Sequence, residues 1–147
     1  MKGRYSIRLV LSLVFVLLSG CNMLGVVEKS YTRIRILVDG ELHKAHGYVV
    51  NCSPDGDDHV LKMLSICTPR LSNLKDLNEL DWIRIKSVSV QKKSDIQSMD
   101  LLEMTLEIDP NNTGYIRQYD LTFHDCMVGN VDGRATVTIR QGKNNKY

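Results

Sequence analysis

From residue 31 the chain alternates. Thr32, Ile34, Ile36 and Val38 fall on one side of an extended backbone and Tyr31, Arg33 and Arg35 on the other, the period-two pattern of a half-buried strand. "DG" at Asp39 and Gly40 predicts a hairpin turn, since both residue types tolerate positive φ, and a second strand is expected over 41–52. "SPDGDD" at 53–58 reads as a loop. "HVLKMLSIC" at 59–67 supports two readings: a short helix capped by Asp57 or Asp58 with Val60, Leu64 and Cys67 on one face, or a buried strand. Pro69 ends it in either case by removing a donor and pushing Thr68 out of the helical region. Leu71, Leu74, Leu77 and Leu80, spaced by three, predict a short amphipathic helix.

The second half alternates most plainly. In "WIRIKSVSVQ" at 82–91 the apolar residues change face between Ile85 and Val88, as a β-bulge requires. Leu102, Met104, Leu106 and Ile108 lie opposite Glu103, Thr105 and Glu107. After the turn "DPNNTG", Tyr115, Tyr119, Leu121 and Phe123 align while Gln118, Asp120 and Thr122 face water. "GNVDG" predicts another turn, and Ala135, Val137 and Ile139 then alternate with Thr136 and Thr138. Four consecutive strands with short connections predict an antiparallel meander. The leucine helix and the first hairpin are available to cover one face of it. The expected fold class is α+β or mainly β, an antiparallel meander or sandwich of about six strands with one or two short helices.

The N-terminus follows a different pattern. Lys2, Arg4 and Arg8 precede an apolar segment, 9–18, interrupted only by Ser12, and no acidic residue occurs before Cys21. A bilayer span needs about 20 apolar residues, so this segment reads as a secretory signal peptide. Leu18, Ser19 and Gly20 run directly into Cys21, which resembles the bacterial lipobox. The resemblance implies a thiol alkylated with diacylglycerol, cleavage before Cys21 and acylation of the new amino group. Each buried methylene contributes about 0.8 kcal/mol, and several chains together hold stably to membrane lipid. Three segments are expected: signal peptide 1–20, lipidated tether 21–30 and a single β-rich periplasmic domain 31–147. In lipoproteins of this kind Asp after the cysteine favours retention in the inner membrane; here that residue is Asn22. The expected address is the periplasmic leaflet of the outer membrane, with the inner membrane as the alternative.

Removing the signal changes the charge. Three of the 19 basic residues lie in it and none of the 17 acidic ones does, leaving 16 against 17, a formal charge of −1 instead of +2. No basic face of the kind that binds nucleic acid is visible. Three cysteines remain, Cys52, Cys67 and Cys126. In an oxidising compartment one disulfide among them is expected, its pairing left open by the sequence.

Candidate chemistry is sparse. His43 and His46 form H-x-x-H, but on a strand an odd spacing sends the two side chains to opposite faces. Asp55, Asp57 and Asp58 resemble the start of a calcium loop, yet the twelfth position counted from Asp55 is Ile66, where an EF-hand needs glutamate. His124 and Cys126 offer a Cys-His pair without a visible third group to orient it. No metal ion, cofactor or enzymatic activity is expected, with His124 and Cys126 as the one exception to test. Aromatic and arginine residues anchor many protein interfaces, which makes Tyr31, Arg33, Arg35, Trp82 and Arg84 the candidate partner surface.

From "MKGRYSIRL" through "LSGC" to a cysteine-bearing β-rich domain, the chain resembles the small prophage-encoded lipoproteins of enterobacteria, the YafY/YfjS-like group. The resemblance implies a periplasm-facing lipoprotein linked to envelope homeostasis and brings no catalytic residues. The expected function is a membrane-anchored, non-enzymatic interaction module with a protein partner in the envelope, acting in envelope stress or phage exclusion. The alternative is an immunity lipoprotein that neutralises an envelope-targeting toxin such as a secreted phospholipase effector.

Overall fold

The computed structural model describes residues 33–128 and 131–144. Cys21, Asn22 and Tyr31, with segments 1–20 and 21–30, lie outside them. The fold is mainly β, and among the described residues the order is β1 (Arg35–Val38), β2 (Glu41–Lys44), β3 (Tyr48–Cys52), β4 (Asp57–Ser65), β5 (Arg70–Leu71), α1 (Leu74–Asn78), β6 (Ile83–Gln91), β7 (Asp100–Ile108), β8 (Arg117–Val128) and β9 (Val131–Gln141). A five-stranded sheet runs β2-β1-β4-β7-β6 and a four-stranded sheet runs β3-β9-β8-β5. Their inward faces meet in one core that includes Ile36, Met63, Leu106, Leu121, Phe123 and Val137.

The Asp39-Gly40 hairpin forms as expected, with φ of 51° and 84° and Val38 opposite Glu41. The strand expected over 41–52 instead breaks in two. Gly47 takes φ 78°, a conformation that costs glycine little. Ala45 donates its N–H to Ile34 at 3.2 Å, while Gly47 donates to Thr136 at 2.8 Å. The chain therefore leaves the first sheet at Ala45 and joins the second at Gly47, where β3 pairs in parallel with β9.

Of the two readings of 59–67, the strand is correct. β4 pairs with β7 along its whole length, from Asp57 opposite Ile108 to Ser65 opposite Asp100. Central pairing overrides local helix preference, and Val60, on the face the helix would have buried, is 48% exposed. The leucine helix shrinks to five residues. Leu77 is buried, Leu74 is exposed and Leu71 lies in β5. Asn73, next to the helix start, is used otherwise: its Nδ2 donates to the Asp120 carbonyl at 2.7 Å and its Oδ1 accepts the Thr122 N–H at 3.0 Å. Among the described residues the six expected strands become nine, because 41–52 divides, 57–65 is a strand and β5 adds a short edge.

The bulge in β6 falls between Ile85 and Ser87, and Leu102, Met104, Leu106 and Ile108 point inward. The expected meander does not form as one sheet. β6–β7 and β8–β9 are hairpins of different sheets. Residues 109–116 carry the chain between them, held by Asn111, which donates its N–H to the Pro54 carbonyl and its Nδ2 to those of Tyr115 and Gly142. Tyr115 is 78% exposed, so it is not on the inward face. Of the turn expected at "GNVDG", 131–133 belong to β9 instead, and Gly129 and Asn130 lie outside the described residues.

A second bulge, in β8 between His124 and Met127, sets two residues against Gly133. It turns the fully buried Asp125 carboxylate toward Gly133, whose N–H donates to Oδ1 at 3.0 Å. Arg33 pairs with the same carboxylate at 3.0 Å, and the Ser65 hydroxyl donates to it. Beside this network Cys67 and Cys126 form a disulfide with 5.7 Å between Cα atoms. It ties the segment after β4 to β8, one sheet to the other.

Candidate functional site

β1 pairs with β4 only at Arg35 opposite Leu64 and Ile36 opposite Met63. Beyond Ile36 it pairs with β2 alone. Residues 57–62 of β4 are therefore bonded on the β7 side and, among the described residues, on no other. Among the described residues β3 is likewise an edge, bonded to β9 only. A groove of about 560 Å³ lies where β1 departs, lined by residues of β1, β3 and β4. Tyr48, Val49 and Val60 line it, and the two valines are 44% and 48% exposed. Strand edges of this kind carry unpaired backbone donors and acceptors and are templates for another strand.

At one end of this groove the β3–β4 loop brings three polar side chains together. Cys52, Asp57 and His59 each offer one ligating atom, and these atoms all lie within 4.8 Å of one another. Asp57 and His59 share a face of β4 because they are two residues apart; Cys52 closes β3 on the inward side. The loop is fixed by backbone geometry. Gly56 has φ 82°, and a Cβ there would stand 2.6 Å from the Ile108 carbonyl oxygen. Its N–H donates to the Ser53 carbonyl at 3.1 Å, and the Ser53 N–H donates to Asp57 Oδ2 at 3.5 Å. Burial, and then the nearby Asp57 carboxylate, push the Cys52 thiol up to about 11.

Most residues singled out in the sequence lie elsewhere. His43 sits on β2 with its ring 5.9 Å from that of Tyr48, whereas His46 accepts the Thr136 N–H through Nδ1; the two do not converge. Cys126 is in the disulfide with Cys67, so the Cys-His pair lacks its thiol. His124 borders a recess of about 220 Å³ with Arg70 and Lys92. Asp58 pairs with Lys86, apart from Asp57. Cys52 is the unpaired cysteine among the described residues.

The candidate partner surface is corrected in two places. Trp82 is only 7% exposed and belongs to the core, because the following residue starts β6 and its own carbonyl accepts the Asp109 N–H. Arg33 is turned inward by Asp125, its side chain 15% exposed. Arg84 stays at the surface but forms a two-pronged pair with Asp109, at 2.9 and 2.7 Å. Arg35 is half-buried.

The sequence does not mark His59 because 53–58 reads as a loop, which parts it from Asp57 and Cys52, whereas β4 already begins at Asp57. Read as a strand, the spacing Cys52-x4-Asp57-x-His59 is the signal that finds it. Among the described residues no helix is long and apolar enough to cross a membrane. Comparison with protein-family models and with curated proteins yields no match to this chain.

Proposed function

We propose that this chain is a lipid-anchored, periplasm-facing interaction module that holds an extended segment of an envelope protein in the groove between β3 and β4 and performs no covalent chemistry. The observation that carries this reading is the pair of bare strand edges bordering the groove. Main-chain bonding to an edge supplies affinity and side-chain pockets supply selectivity in β-strand addition. Tyr48, Val49 and Val60 give the groove its apolar contacts. The lipobox ending at Cys21 supports the anchor, and the Cys67–Cys126 disulfide supports an oxidising compartment.

Site-specific crosslinkers at Val49 and Val60 on the lipidated protein in envelopes test it, with one at Glu103 on β7 as the control. Crosslinks to one common partner are expected from both valines and not from Glu103. Val49→Lys with Val60→Lys, both at exposed positions, should abolish capture without unfolding the domain. A partner retained by the double variant, or captured equally through Glu103, contradicts the reading. Mass spectrometry of the mature N-terminus checks the anchor separately: an unacylated product rules it out.

A further inference from the structure

We infer that Cys52, Asp57 and His59 form a site for a thiolate-binding divalent transition metal, with Zn2+ the expected ion. The inference stands independently of the proposed partner groove. Its basis is the convergence of one sulfur, one carboxylate oxygen and one imidazole nitrogen within 4.8 Å of one another on a single corner of the fold. The donor set selects the ion class. Calcium and magnesium take oxygen ligands, whereas a sulfur, a nitrogen and an oxygen together suit zinc, which imposes no electronic geometry of its own.

The dimensions fit after a small closure. Zinc bonds of about 2.0–2.3 Å in a tetrahedron place ligand atoms about 3.3–3.7 Å apart, so the separations shorten by up to about 1.5 Å. Asp57 is exposed and His59 half-buried, which leaves both side chains room to rotate. Cys52, 6% exposed, is the fixed corner. The Ser53 N–H bond to Asp57 Oδ2 orients the carboxylate from outside, as partners of metal ligands commonly do. Gly56 holds the loop that sets the spacing, since any side chain there meets the Ile108 carbonyl. Three protein ligands leave the fourth position of a tetrahedron open. His59 also lines the groove, so the site sits at the groove's margin. On binding, the Cys52 sulfur bonds to the metal and its proton passes to solvent; no electron is transferred.

Cobalt(II) added to the full chain in detergent, after chelator treatment, tests the site. One equivalent should give a thiolate-to-cobalt charge-transfer absorption that zinc displaces. His59→Gln and Asp57→Asn, at positions that tolerate change, should each weaken binding by about tenfold or more. Cys52→Ser should abolish the charge-transfer absorption; circular dichroism confirms that each variant is folded. Cobalt bound without that absorption, no binding at all, or affinity unchanged in both His59→Gln and Asp57→Asn overturns the assignment.

Discussion

The guanidinium of Arg117 lies 4.7 Å from the centroid of the Trp82 ring, and it does so from an inward position of β8. The same group donates to the Asp109 carbonyl at 2.8 Å and to Gln141 Oε1 through Nε and Nη2. Gln141, itself buried, donates Nε2 to the carbonyls of Ser53 and Asp109. Stacking and forked donation need the planar guanidinium. Arg117→Lys keeps the charge and loses both, so it is expected to destabilise the domain by about 1–3 kcal/mol. Urea unfolding followed by Trp82 fluorescence measures this.

The disulfide joins residues 59 apart in sequence. Constraining a loop of that length in the unfolded chain stabilises by about 4 kcal/mol. Cys67→Ala with Cys126→Ala should lower unfolding free energy by that order. Peptide mapping without reductant should recover Cys67 joined to Cys126. Cys52, buried, should resist alkylation until the protein is denatured.

Gly133 has no room for a methyl group: a Cβ there would stand 2.2 Å from Asp125 Oδ1. Gly133→Ala must displace a buried carboxylate that also holds Arg33 and Ser65. The expected loss is roughly 2–4 kcal/mol. Asp125→Ala removes a charged partner of a largely buried arginine that also donates to the Cys126 carbonyl, and a loss of about 3 kcal/mol or more is expected. Thermal unfolding of both variants against the parent protein checks the two values.

Asp100 accepts from Lys92, the Lys93 N–H and Thr68. These bonds, Lys92 first, hold its carboxyl at about 2, below the ordinary 3.8. A carboxyl depressed on folding stabilises fully above its unfolded value and loses that contribution as pH falls through its folded value. Stability tied to Asp100 should therefore be intact above pH 4 and drain away toward pH 2. Asp100→Asn should be less stable at neutral pH and show a shallower decline over that window, measured by thermal midpoints at stepped pH.

What could be read in advance was the side of the backbone each residue occupies. Leu102 to Ile108 alternate without interruption, and the change of face between Ile85 and Val88 marked its bulge, because pleat geometry is local. Which strand meets which is not local. Nothing in 41–52 except Gly47 and the small Ala45 announced a crossing between sheets. The 59–67 segment suited helix and strand equally until β7 supplied a partner. Arg117 and Gln141 broke the polar-out rule because they satisfy backbone carbonyls at one end of the sandwich, and charge alone does not announce that. The donor cluster depended on the same choice: only with 57–65 extended do Asp57 and His59 share a face near Cys52.

The side-chain amide of Asn73 meets β8 at Asp120 and Thr122 as a neighbouring strand would. With Ser72, whose N–H and hydroxyl both donate to the Thr122 carbonyl at 2.8 Å, it guards that border of the four-stranded sheet where β5 runs out. Among the described residues, the opposite border, β3, has no such sentry. Among the described residues, the long open border of this sheet is therefore β3, and a strand extending the sheet on that side would lie beside Tyr48–Cys52.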